Sequence, residues 1–72
     1  MNTTQNNLKI YLNGQITEVA ETTLDTIIGA RYQKPENVVA ELNGKVIARA
    51  NWQNTHLQAQ DRLELLSFVG GG

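Results

Sequence analysis

Asn-Gly occurs twice in this chain, as Asn13-Gly14 and Asn43-Gly44, each between short runs that read as strands. This dipeptide is the strongest short-range hairpin signal, because a type I′ turn needs positive φ at both central positions. Before the first turn, Leu8, Ile10 and Leu12 alternate with Lys9 and Tyr11, the two-residue period of a half-buried strand. After it, a second strand runs from about Gln15 to Ala20. Its apolar Ile16 and Val19 fall on opposite faces of a regular strand, so the pattern leaves its register open. The second hairpin joins Val38–Leu42, with Val38, Ala40 and Leu42 on one side, to the short run Lys45–Ala48.

One helix is predicted between the hairpins. Leu24, Ile27, Ile28, Arg31 and Tyr32 recur at i, i+3, i+4, i+7 and i+8, one helical face. Thr22 with Asp25 loosely resembles a capping box. Gly29 and the threonines lower the helix's intrinsic stability, so it needs the sheet beneath it. It should stop before Lys34-Pro35, because the residue before proline avoids helical backbone. Asn51–Gln58 has no strand period and reads as a loop or short helical turn over Trp52 and Leu57. Arg62–Val69 reads as the last strand. A chain of 72 residues holds one small domain with one thin core. Hairpin, helix, hairpin, connection and last strand make it α+β, a mixed sheet with one helix across a face. The helix lets a later strand lie parallel to an earlier one, which no hairpin turn can do.

Composition removes several functions. The hydrophobic fraction of 40% supports a folded chain. A formal charge of -1 with no basic patch argues against nucleic acid. No apolar stretch has membrane-spanning length and no signal-peptide pattern opens the chain. The lack of cysteine removes disulfides and thiolate metal sites and suits a reducing cytoplasm. His56, the one histidine, has no ligand constellation around it, so no metal site is expected. No nucleophile–base pair appears, and the glycines lack the Lys and Ser or Thr of a phosphate loop. Trp52 reads as a core plug, Asp61 as a cap on the turn into the last strand, and Arg49 as a surface or carbonyl-bonding residue. Glu18, Glu21, Glu36, Glu41 and Glu64 read as scattered solvated charges.

Two features remain. In the last strand Leu63 and Leu65 share one face, while Glu64, Leu66 and Phe68 share the other. One helix covers one face, so Leu63 and Leu65 are expected in the core and Leu66 and Phe68 outside. Exposed apolar clusters often mark interfaces, although scattered exposed apolar residues are common. The sequence then ends on Gly70-Gly71-Gly72. Three glycines fall together by chance in about one chain in three thousand. A chain end that threads into a narrow active site needs free φ and no Cβ, which Gly71 and Gly72 supply. The Gly72 carboxylate is ionised at neutral pH. It is a poor electrophile until joined to AMP as a mixed anhydride; a sulfur nucleophile displacing AMP would then leave a thiocarboxylate.

With these residues in place the sequence resembles the ThiS family of sulfur carriers, small ubiquitin-like proteins of β-grasp fold. The resemblance is carried by Asn13-Gly14, by Thr23-Leu24-Asp25-Thr26-Ile27-Ile28, and by the run from Val39 through Asn43-Gly44 and Arg49 to Trp52. It continues through Asp61-Arg62-Leu63-Glu64 to Phe68-Val69-Gly70-Gly71-Gly72. Family members often have Pro where this chain has Ala48, and Gly where it has Gln60, which puts the local turn geometry in question.

The resemblance implies a β-grasp sheet of four to five strands over 8–69, after a disordered start over 1–7 and before a flexible tail over 70–72. It implies a co-substrate, not an enzyme, that binds no cofactor itself and makes the thiazole half of thiamin with partners. A ThiF-like adenylyltransferase would use ATP to place AMP on Gly72. A cysteine desulfurase relay would supply sulfur, and a ThiG-like thiazole synthase would take it. Gly70 and Gly71 would thread the tail, and Leu66 and Phe68 would contact partners. Two alternatives stay open: a carrier for another pathway, such as the molybdopterin synthase small subunit type, or a β-grasp binding module with an inert tail.

Overall fold

The computed structural model describes residues 7–68. Five strands form one sheet: β1 (Asn7–Leu12), β2 (Gln15–Ala20), β3 (Val38–Leu42), β4 (Lys45–Ile47) and β5 (Arg62–Ser67). One α-helix, α1 (Leu24–Arg31), lies between β2 and β3 in sequence. Short 3₁₀ turns occupy Pro35–Asn37 and Arg49–Asn54. The spatial order is β2-β1-β5-β3-β4, so the last strand enters the middle of the sheet. It runs parallel to β1 and antiparallel to β3. The helical crossover between the hairpins makes the parallel pair possible.

Both Asn-Gly pairs take left-handed backbone, with φ 51° and 84° at Asn13-Gly14 and 52° and 85° at Asn43-Gly44. These are type I′ values, whose twist matches that of the flanking strands. The first hairpin is in regular register, with Leu8 opposite Val19 and Tyr11 opposite Ile16. This settles β2: Val19 packs against the core, while Ile16 faces solvent. β1 takes in Asn7, one residue before the expected start, and β5 ends at Ser67. Met1–Asn6 and Val69–Gly72 lie outside the described residues, and with them most of the expected polar start and all of the expected tail.

The core is one layer between the sheet and α1. Ile10, Leu12, Val38, Ala40, Leu63 and Leu65 come from the strands, and Leu24, Ile27 and Ile28 from the helix. Trp52 and Leu57 close the end under the connection. Trp52 is 2% exposed and its indole N–H donates to the Ile47 carbonyl at 3.0 Å, so its one polar atom is satisfied.

The start of α1 differs from the capping-box expectation. Thr23, not Thr22, is the N-cap residue, and no side chain caps the helix. Instead the segment Thr55–Leu57 lies antiparallel to Thr22–Leu24. The Leu24 N–H donates to the Thr55 carbonyl at 2.8 Å and the Leu57 N–H to the Thr22 carbonyl at 3.1 Å. A distant loop thus takes a donor that a helix end leaves unpaired. The helix closes at Arg31, and Tyr32 is already extended, half-buried against the core.

Candidate functional site

The outer face of the sheet carries the residues that sequence periodicity assigned to solvent. Leu66 is 60% exposed and Phe68 55% exposed, while Leu63 and Leu65 are buried on the opposite face. The strand is central, so its two faces meet different surroundings: α1 covers one and no described element covers the other. Beside Leu66 on the outer face stand Val39 on β3 and the 63% exposed Val46 on β4. Val39, Val46, Leu66, Glu41 and Glu64 line a shallow depression of about 220 Å³.

Glu41 and Glu64 are register partners on β3 and β5. The strand pairing therefore places two glutamates opposite each other at the edge of the apolar patch. Their sequence positions, separated by the second hairpin and the connection, gave no sign of this. The arrangement suits a partner surface with apolar side chains and a cation facing the acidic pair. On the same face Arg62 lies over the Tyr11 ring, 6.0 Å from its centroid.

Three anchors fix where β5 ends and where it points. The Phe68 N–H donates to the Asn37 carbonyl at 2.7 Å, so the backbone is held up to the last described residue. On one flank, Asn13 donates its N–H to the Leu63 carbonyl at 2.9 Å and accepts the Leu65 N–H on Oδ1 at 2.8 Å. On the other, Asn43 donates its N–H to the Arg62 carbonyl and accepts the Arg62 N–H on Oδ1, both at 2.8 Å. Asn43 Nδ2 also donates to Asp61 Oδ1 at 3.0 Å, and Asp61 Oδ2 accepts the Gln58 N–H at 2.8 Å. Asp61 thus caps the turn before β5, as its position suggested. The two turn asparagines do more than tolerate positive φ: their side chains clamp the last strand from both sides.

Among the described residues no group of His, Cys, Asp and Glu gathers into a metal-binding set. His56 sits in the isolated bridge opposite Thr23, exposed at the surface. Arg49 is exposed at the start of its 3₁₀ turn. A cavity of about 500 Å³ between β2 and α1 shares no lining residue with the outer-face patch. Gly70, Gly71 and Gly72 lie outside the described residues.

Two hairpins, a crossover helix and a central last strand parallel to the first define a β-grasp domain, the ubiquitin-like fold. Solved structures of the same shape bear this out. A crystal structure of the thiamine biosynthesis protein ThiS from Geobacter metallireducens superposes with a TM-score of 0.76 at 29% identity, covering 90% of this chain and 100% of that one. A solution structure of a thiamine biosynthesis protein from the same organism gives the same TM-score and identity over 88% of its chain. A protein named thiazole synthase from Magnetococcus marinus is 36% identical over 66 residues; these span 90% of this chain and 20% of that protein's length. The uncharacterized protein ycf40 of Pyropia yezoensis is 30% identical over 92% of this chain and 94% of its own. The ThiS family pattern matches residues 5–72. The chain belongs to the ThiS family, the sulfur carriers of thiamin biosynthesis.

No described helix is long and apolar enough to cross a membrane.

Proposed function

We propose that this chain carries sulfur on its terminal carboxylate for formation of the thiazole half of thiamin. The observation that carries the reading is the family match through residue 72, which takes in the Gly-Gly end. A carboxylate oxygen of Gly72 attacks the α-phosphate of ATP in the active site of a ThiF-like adenylyltransferase. Pyrophosphate leaves and an acyl adenylate remains. A sulfur nucleophile then attacks the acyl carbon and AMP leaves. With hydrosulfide the product is the thiocarboxylate directly. With the persulfide of a cysteine desulfurase relay it is an acyl disulfide, which a second thiol reduces to the thiocarboxylate.

The chain's own part is presentation. Gly70 and Gly71 thread the end into the partner, and Leu66 and Phe68 dock the sheet against it. The clamped β5 gives the end a defined starting point. The protein is a regenerated co-substrate rather than a catalyst, works in the cytoplasm, and holds neither ATP nor sulfur donor by itself. A thiazole synthase as the sulfur acceptor is supported by the similarity to a segment of the Magnetococcus marinus protein of that name.

The test is incubation with ATP, a ThiF-like enzyme and sulfide, read by intact mass. The expected product is heavier by about 16 Da, one oxygen exchanged for sulfur at Gly72, and removal of Gly71 and Gly72 abolishes it. No shift with an enzyme active on its own carrier refutes the reading. Binding to partners that survives loss of both glycines, with no transfer in the intact chain, identifies a binding module. Rescue of a molybdenum-cofactor-requiring strain, but not a thiazole-requiring one, assigns the carrier to the other pathway.

A further inference from the structure

The two hairpin turns form an internal comparison. Both read Leu-Asn-Gly, and their φ values agree to about a degree. Both asparagines are exposed, and both accept a β5 backbone N–H on Oδ1 at 2.8 Å. They differ at Nδ2. In Asn43 it donates to the Asp61 carboxylate at 3.0 Å, whereas among the described residues Asn13 Nδ2 has no partner. The assignment of oxygen and nitrogen follows from the contacts, since a backbone N–H meets only an acceptor and a carboxylate only a donor.

This difference bears on a reaction open to any Asn-Gly pair. The glycine nitrogen attacks Cγ of the asparagine. The Cγ–Nδ2 bond breaks, and Nδ2 departs as ammonia with the proton from the attacking N–H. A five-membered cyclic imide remains. Water adds to either carbonyl of the ring, giving aspartate or a β-linked isoaspartate. Glycine is the most permissive following residue because it has no side chain beside the attacking nitrogen. To react, the asparagine must swing Cγ toward that nitrogen, which breaks the bonds that hold its amide.

We propose that Asn13 is a site of spontaneous deamidation in the folded protein, and that the Asp61 carboxylate protects Asn43 from the same reaction. Asn13 gives up one neutral hydrogen bond to reach the reactive geometry. Asn43 gives up that and a second, charge-assisted bond, which corresponds to a rate lower by about tenfold or more. The product at Asn13 alters β5 directly. An isoaspartate puts an extra methylene into the turn backbone and displaces the oxygen that holds the Leu65 N–H, one residue before Leu66.

The experiment incubates the full chain at pH 8 and 37 °C, folded and in urea, and follows both asparagines by digestion and mass spectrometry. The expected result is conversion of Asn13 at least about tenfold faster than Asn43 when folded, with rates within about twofold in urea. Equal folded rates, or Asn43 ahead, overturn the proposal. So does an Asn13 that stays intact while a short Leu-Asn-Gly-Gln peptide converts completely. In Asp61→Ala, checked for folding by circular dichroism, Asn43 should approach the Asn13 rate. If that variant does not fold, the wild-type comparison still decides.

Discussion

Asn43 and Arg62 hold each other by two backbone-directed hydrogen bonds, the Asn43 N–H on the Arg62 carbonyl and the Arg62 N–H on Asn43 Oδ1, both at 2.8 Å. The pair joins the tip of the second hairpin to the first residue of the central strand. Asn43→Gly keeps a residue content with positive φ, so the turn survives and only the side-chain bonds disappear. The expected cost is about 1–2 kcal/mol in urea unfolding, from loss of the bonds to Arg62 and Asp61. A cost near zero would show that water replaces them fully.

Gln60 stands at φ 71°, in left-handed backbone that a non-glycine residue adopts at a penalty of roughly 1–2 kcal/mol. Its N–H donates to the Lys9 carbonyl at 2.7 Å, a bond that any residue but proline can make. Gln60→Gly removes the penalty and adds unfolded-state entropy of roughly 0.4–1 kcal/mol. The net expectation is a gain of about 0.5–1 kcal/mol, visible as a higher denaturation midpoint at unchanged m-value. Family members often carry glycine here, and the backbone explains why.

Ala48 presents the opposite case. Its φ of -63° and ψ of 144° are those of proline, and Ile47 before it is already in a strand. Ala48→Pro should therefore stabilise by about 0.4–1 kcal/mol through the unfolded chain. Thermal unfolding followed by Trp52 fluorescence is the measurement; destabilisation would mean that the Ala48 N–H has a partner.

Adjacent leucines in β5 should separate fold from function. Leu65→Ala opens the core and is expected to cost about 2–5 kcal/mol. Leu66→Thr and Phe68→Thr keep β-preferring residues at exposed positions, so stability should stay within about 0.5 kcal/mol. Thiocarboxylate formation at limiting partner enzyme should nevertheless fall at least about tenfold. Unchanged transfer in both would remove the outer face from the docking surface.

Glu41 and Glu64 face each other across β3 and β5, an unfavourable like-charge pair. Glu64→Gln should raise stability by roughly 0.2–1 kcal/mol, more at low salt than at high salt. If the pair greets a cationic partner, the same change slows association with the adenylating enzyme, again most at low salt.

The elements were legible because each is written locally. Alternation in Leu8–Leu12, the Asn-Gly pairs and the helical spacing of Leu24, Ile27 and Ile28 all act over a few residues. The inward and outward split of β5 followed from side-chain parity, with the charge of Glu64 marking the solvent face. The capping of α1 was not legible, because its donor is satisfied by Thr55, which nothing near Thr23 announces. The acidic pair of Glu41 and Glu64 was equally hidden, since only the β3–β5 register sets the two residues opposite each other. Gly72 was read from chemistry and family pattern, and lies beyond the described residues.

By itself the sequence determined the strands, the turns, the helix and the apolar faces of β1, β3 and β5, since local sterics and side-chain period decide these; the apolar face of β2 waited for its pairing with β1. Only the tertiary structure decided that β5 takes the centre of the sheet and that Asn13 and Asn43 hold it from either side. Those outcomes depend on which strand edges meet once the chain closes. The bond from Asn13 to Leu65 spans 52 residues, a contact that no local pattern encodes.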